Sequence, residues 1–287
     1  MNLKNIKMVK IGFAGDGWGA VSAIRSLREF FIVECLSGDT DVISELSSND
    51  VVIDLFKGFS SKFIVCAGYK PIISSDLIKK HTILNVHYSL LPMYRGLHSV
   101  AWAIMNGEKN LGWTVHIMSK YIDDGPIVYQ KRISNDNESS ASYFMDKMNT
   151  QVALELGGVV SSYIKGEIEP IEQDKNKASW VGKRSLKHNI INFNEGFKYC
   201  KRLFRVLQFP YPGPQIIYKG CYYNVGKVCF HKSHIKADNS RILNVDEEGV
   251  WVKSEEGYII LSDITFRGET IDFFKFNLGS YLNDRSI

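Results

Sequence analysis

Short apolar runs at residues 7–15, 31–36, 63–67 and 82–86 punctuate the first third of the chain, each set off from the next by a longer polar or mixed segment. Runs of that length fit buried strands, and a strand that is apolar on both faces belongs inside a parallel sheet. Residues 20–30 carry a helical pattern, so the chain opens as strand, glycine turn and helix. The later gaps are long enough for crossover helices, which predicts a right-handed, Rossmann-like, mostly parallel α/β sheet. A short helix is expected over 102–106, two more strands over 113–118 and 126–133, and a long amphipathic helix over 140–165.

Residues 166–189 then lose apolar periodicity and read as a linker laid over the surface. A helix-like stretch at 194–206 and the turn Pro210-Tyr211-Pro212-Gly213 lead into short alternating strands, with turns at Lys219-Gly220, Glu248-Gly249 and Glu256-Gly257. The prediction is an N-terminal α/β domain over 1–189, including the surface linker 166–189, followed by a small β-rich domain over 190–287. An OB-like barrel is one candidate closure for the second domain.

Composition sharpens this mainly by exclusion. Apolar residues make up 45% and charged residues 23%, ordinary for a soluble globular protein, and no apolar run reaches bilayer-spanning length. Met1-Asn2-Leu3-Lys4-Asn5 lacks the apolar core of a signal peptide, so a cytoplasmic protein without membrane contact is expected. The five cysteines, Cys35, Cys66, Cys200, Cys221 and Cys229, form no CxxC pair and no even framework, which predicts reduced, mostly buried thiols. A formal net charge of +4 is too small to argue for nucleic acid by itself.

Candidate chemistry concentrates where the fourth strand ends. Asn85 and His87 lie two residues apart, hence on one face, at the carboxyl end of the run begun by Thr82-Ile83-Leu84. Open α/β sheets bind ligands at that end of their strands. The chain leaves the strand at Ser89-Leu90-Leu91-Pro92, and Arg95 and His98 follow as candidates either for holding an anionic substrate or for anchoring the loop. Asp123-Asp124-Gly125-Pro126 reads as a turn. A carboxylate from it beside His87 would orient the imidazole and raise its pKa, as a base working near neutral pH requires.

Other signals are weaker. Gly12, Gly15, Gly17 and Gly19, with Glu34 downstream, resemble a dinucleotide loop only superficially, because the spacing does not match GxGxxG; a tight turn with a phosphate contact at the helix N-terminus is the reading. His81, His87, His98 and His116 lack zinc-ligand spacing, so no metal is expected, and Ser89 has no GxSxG elbow.

The ordered blocks Asn85-x-His87-x-Ser89-Leu-Leu-Pro92-x-Tyr94-Arg95-Gly96, Asn106-Gly107-Glu108, Gly112-x-Thr114 and Asp123-x-Gly125 resemble the formyltransferases that use 10-formyltetrahydrofolate. Their substrates are glycinamide ribonucleotide, methionyl-tRNA and nucleotide-linked amino sugars. The likeness covers roughly residues 60–135 and runs more weakly through Ala178-Ser179-Trp180 into the second domain. It implies that Asn85, His87 and Asp123 are catalytic: the amide donates to the oxyanion formed when an amine attacks the formyl carbon, the imidazole takes the amine proton, and the carboxylate holds the charged ring. Asp123 is favoured over Asp124 by position in the pattern alone. The resemblance also implies a folate pocket made by Ala67, Gly68, Tyr69, Ile117, Met118, Ile122 and Asp123. Trp113 and Asp124 depart from the pattern, standing where relatives commonly carry a small branched residue and Thr.

The acceptor is the less determined part. Residues 191–287 hold 13 Lys/Arg against 11 Asp/Glu, little for a surface that must neutralise phosphates, although Lys198, Lys201, Arg202 and Arg205 cluster. The stretch 210–213 and the loop 94–100 are similar to those of nucleotide-sugar formyltransferases. The resemblance therefore implies a nucleoside-diphosphate-linked deoxyaminosugar, dTDP-linked, used for surface polysaccharide, with Gly15, Trp18, Lys70, Tyr94, Arg95, His98 and Tyr211 as substrate contacts. It further implies no nucleic acid partner and a homodimer formed through the C-terminal domain. The alternatives are a methionyl-tRNA formyltransferase or a non-catalytic folate- or nucleotide-binding regulator.

Overall fold

The computed structural model describes residues 9–208 and 211–283, so residues 7 and 8 of the first predicted strand, the segment Met1–Asn5 and Pro210 of the proline-rich turn lie outside the described residues. Two compact units are present. One runs to Ala103 and adds Lys109–Asn135 and Tyr143–Gly182; the other comprises Ile104–Glu108, Asp136–Ser142 and the chain from Lys183 onward.

The first unit is a seven-stranded sheet flanked by helices. Its strands are β1 (Lys10–Ala14), β2 (Ile32–Leu36), β3 (Val51–Val52), β4 (Phe63–Ala67), β5 (Thr82–His87), β7 (Asn110–Ile117) and β8 (Ile127–Ser134), in the order β3-β2-β1-β4-β5-β7-β8. The pairings from β3 to β5 are parallel, as the apolar runs predict. Beyond β5 the expectation changes, because β7 and β8 are antiparallel to their neighbours. The turn at Gly125-Pro126 makes β7 and β8 a hairpin, and a hairpin needs no crossover helix.

Helix α1 (Trp18–Arg28) buries Ala20, Ala23, Ile24 and Leu27. Helices α2 (Thr40–Ser44), α3 (Ser75–Lys80) and α4 (Ser99–Asn106) are short, whereas α5 (Ala141–Ile164) spans 24 residues. Phe144, Met148, Val152, Leu156 and Val160 of α5 are all buried, a row at intervals of four that forms one apolar stripe. Ile11, Phe13, Val33, Ile64, Val65, Ile83 and Leu84 complete the interior from the sheet. No helix of the described residues is long and apolar enough to cross a membrane.

The predicted surface linker has more structure than its polarity suggests. Trp180–Val181 forms β9, which pairs in parallel with β6 (Arg95–Gly96), and Gln173 is buried. Its polar side chains replace backbone partners that the irregular loops of the sheet would otherwise lack.

The second unit holds α6 (Phe197–Val206) and the strands β10 (Gln215–Tyr218), β11 (Cys221–Lys232), β12 (Ile242–Asp246), β13 (Gly249–Ser254), β14 (Gly257–Phe266) and β15 (Glu269–Thr270). All pair antiparallel in the order β10-β11-β14-β13-β12, with β15 on β14, and the three predicted turns join β10 to β11, β12 to β13 and β13 to β14. The barrel expectation is corrected here: among the described residues β10 and β12 do not pair, so the sheet stays open.

Candidate active site

Asn85 and His87 face the next strand across an antiparallel register, Asn85 opposite His116 and His87 opposite Thr114. Side chains of directly opposed residues share a face and touch. Four polar residues therefore form a patch on β5 and β7, and the loop after β7 folds back so that Asp123 lies against it. Asp123 Oδ2 is 3.6 Å from His87 Nδ1, and Oδ1 is 3.4 Å from His116 Nε2 and 3.4 Å from Asn85 Nδ2. Asn85 Nδ2 also lies 3.2 Å from His116 Nε2. Both N–H groups of Asn85 are thus directed at His116 and Asp123 rather than outward, a constraint invisible in the spacing of the motif.

His87 Nε2 is 2.9 Å from the Tyr94 carbonyl oxygen. A carbonyl only accepts, so Nε2 carries the hydrogen, and Nδ1, on the Asp123 side, is the nitrogen that can take up a proton. At 3.6 Å the Asp123 carboxylate stabilises charge at Nδ1 without being hydrogen-bonded to it. The ring is fixed at Nε2 by Tyr94, while the carboxylate faces Nδ1. Burial pushes the His87 pKa below its ordinary value, while the Asp123 charge and the Tyr94 carbonyl act in the other direction and His116 adds to the lowering. The ring is consequently neutral near pH 7, the state a base requires. Burial alone would raise the Asp123 pKa; the hydrogen bond from His116, the His87 and His116 charges and the Gly96 amide outweigh it and hold the carboxyl at about 2.

The two adjacent aspartates have separate partners. Asp124 Oδ1 is 2.5 Å from Arg95 Nη1, whereas Asp123 takes the Gly96 amide at 2.8 Å and faces His87. Arg95 is buried, lies over the Trp180 ring at 5.2 Å, and donates from Nε and Nη2 to Gln173 Oε1. Gln173 Nε2 in turn donates to the carbonyls of Asp123 and Gly125 at 2.9 and 2.7 Å. Of the two roles open to Arg95, anchoring the loop is the one its surroundings fill. Backbone strain gathers at the same place, with Tyr94, His98 and Asp123 at φ of 59°, 61° and 49°. Gly96, at φ 100°, must be glycine, because a Cβ there would sit 2.3 Å from the Val181 oxygen.

His116 and Gln173 were not singled out for this cluster by the sequence. His116 alternates with Thr114 and Gly112 along one strand, but only the register with β5 shows that it meets Asn85. Gln173 reaches Arg95 over a separation of 78 residues through a stretch with no pattern.

The expected folate residues differ in their surroundings. Ala67 is buried at the end of β4, Gly68 is exposed at φ 70°, and Tyr69 and Met118 both pack against the apolar cluster of Ala14, Phe56, Phe59 and Ile73. The Ile117 and Met118 amides are spent on the Pro126 and Ile83 carbonyls, so neither is available to a ligand edge, and Ile122 is exposed. Among the expected substrate contacts, Lys70, His98 and Trp18 are exposed, Tyr94 is buried, and Tyr211 lies partly exposed in the second unit. Gly15 packs on β4, where a Cβ would fall 1.9 Å from the Ala67 oxygen. Trp113 is fully buried on the opposite face of β7, donating to Gln151 of α5, so its bulk is directed away from the Asn85 patch. Glu34 accepts hydrogen bonds from Ser60 and Ser61 and is buried, a structural rather than ribose-binding carboxylate.

Comparison with known proteins identifies the family. The pattern described as formyl transferase matches residues 30–155, and that of the formyl transferase C-terminal domain matches residues 185–276. The methionyl-tRNA formyltransferase of Finegoldia magna is 30% identical over 86% of this chain and 79% of that protein. The chain belongs to the formyl transferase family. This formyltransferase is also 28% identical to the methionyl-tRNA formyltransferase of Clostridium novyi, over 91% of the chain and 93% of that protein. Among solved structures, the N-formyltransferase from Helicobacter canadensis in complex with folinic acid and dTDP-3-aminofucose has a TM-score of 0.68 at 18% identity, over 90% of this chain and 100% of that one. Likeness at that identity shows the fold alone.

The expected acceptor is corrected by these relatives. A nucleotide-linked amino sugar rested on short loop similarities at 94–100 and 210–213, whereas the curated relatives that match most of the chain at 26–30% identity are methionyl-tRNA formyltransferases. The loop motifs are too short, and the proline-rich turn too generic a way to begin a β domain, to outweigh similarity along most of the chain.

Proposed function

We propose that this formyltransferase transfers the formyl group of 10-formyltetrahydrofolate to the amine of methionyl-tRNA. The observation that carries the reading is the 30% identity to the Finegoldia magna methionyl-tRNA formyltransferase over 86% of the chain. In this reading the catalytic chemistry belongs to residues 1–189, and the β-rich part, 190–287, serves the tRNA. Lys198 and Lys201 are exposed on α6 for phosphate contact; Arg205 is buried against the Ser139 carbonyl, and Arg202 donates to the Met105 carbonyl.

The co-substrate supplies an activated formyl group. Tyr69 and Met118, partly buried against the apolar cluster, offer a surface suited to a flat heterocycle. His87 Nδ1 takes the proton that the attacking amine loses, while Nε2–H stays on the Tyr94 carbonyl. Asp123, held ionised, stabilises the resulting imidazolium across 3.6 Å. Asn85 donates to the reacting carbonyl oxygen once one of its N–H groups is released from its present acceptors. The Arg95–Asp124 pair and Gln173 fix the two loops that carry Tyr94 and Asp123.

Incubation with 10-formyltetrahydrofolate and either methionyl initiator tRNA or aminosugar nucleotides tests the assignment. N-formylmethionyl-tRNA is the expected product; formylation of sugar nucleotides with none on tRNA would sink it.

A further inference from the structure

His116 is buried among the polar groups of the site. Its Nδ1 is 3.1 Å from the carbonyl oxygen of Ile117, so Nδ1 carries a hydrogen and donates it. Nε2 then governs the cluster. In the neutral ring Nε2 accepts from Asn85 Nδ2 at 3.2 Å, and the second N–H of Asn85 is directed at Asp123 Oδ1 at 3.4 Å. In the imidazolium, Nε2 becomes a donor toward Asp123 Oδ1, also at 3.4 Å, and no longer accepts from Asn85. One N–H of the amide is thereby set free. The same carboxylate serves His87 through its other oxygen.

We propose that His116 is a positioning residue for formyl transfer: it shares Asp123 with His87 and meets the Asn85 amide at the same nitrogen, so the ring sets how that amide is presented to the reacting oxygen. The proposal rests on the formyl-transfer reading above but not on the identity of the acceptor. The ionisable groups facing His87 are Asp123, from the loop after β7, and His116, from β7 itself; those facing His116 are Asp123 and, beyond the carboxylate, His87 on β5. Charge on His116 opposes charge on His87, whereas charge on Asp123 supports it. Removal of the two neighbours therefore moves the His87 titration in opposite directions.

The test is an NMR titration of the His87 ring in the ligand-free protein, paired with the pH profile of kcat/KM. In His116→Leu the His87 midpoint and the acid limb of the profile move to higher pH; in Asp123→Asn the midpoint moves to lower pH. His116→Leu also lowers kcat by about tenfold to a hundredfold, as misplacement of a reacting group does, with the KM for the formyl donor within about twofold of wild type. His116→Gln, whose side-chain amide can both donate to Asp123 and accept from Asn85, recovers most of kcat but keeps the shifted acid limb. A His87 midpoint unmoved in a folded His116→Leu protein overturns the shared carboxylate, and a loss of kcat with an unmoved limb reduces His116 to a packing residue. Failure of the wild type to formylate methionyl-tRNA overturns the acceptor alone and leaves the titration to decide His116.

Discussion

The glycine loop after β1 and the polar patch on β5 and β7 belong to the same sheet, yet their polar groups are used differently. At the glycine loop they are consumed locally: the Gly17 amide donates to Asp39, and Asp16 accepts from Ser37 and Gly38. Gly15 is set by the close passage of β4. Its glycine pattern reports backbone sterics. At β5 and β7 the polar groups lean on one carboxylate held at about 2 and on a histidine kept neutral by burial, an arrangement poised to move a proton.

Substitutions on the two sides should separate these readings. His87→Ala or Asp123→Ala is expected to lower turnover by at least about a hundredfold, the lower range for loss of acid-base catalysis, with circular dichroism unchanged; near-normal rates in both would dissolve the distinction. Gly15→Ala should act on stability, since a Cβ 1.9 Å from the Ala67 oxygen forces β1 and β4 apart at a cost of about 1–3 kcal/mol. The readout is a lower urea midpoint, with activity per folded molecule retained.

Smaller effects refine the comparison. Because the His87 pKa lies below its usual 6.5 and the base must be unprotonated, the acid limb of kcat/KM should fall below pH 6.5, with activity lost as pH drops through it. A limb at or above that value would contradict the dominance of burial. Asp39→Asn, which keeps an oxygen for the Gly17 amide in a half-buried loop, should change kcat/KM by no more than about twofold and leave the limb in place. A larger loss would make the glycine loop part of the site after all.

What could be read in advance follows the range of the interactions. Strands β1, β2, β4 and β5 are legible because each is an apolar run that needs no partner to be recognised. Asn85 and His87 stand out because polar residues end such a run. The roles of His116, Asp124 and Gln173 depend on an antiparallel register and on contacts tens of residues apart, neither of which has a local signature. The acceptor has no local signature either: the stretches 94–100 and 210–213 are a few residues long, whereas the similarity to methionyl-tRNA formyltransferases extends along most of the chain.

The adjacent Asp123 and Asp124 also act as a length gauge. One faces His87 and takes the Gly96 amide while its neighbour pairs with Arg95, so inserting or deleting a single residue between β7 and this point would present the wrong carboxylate to each partner. Tyr121 and Ile122, just before the pair, are exposed. That arc of chain is therefore free to vary in residue type while its number of residues is fixed.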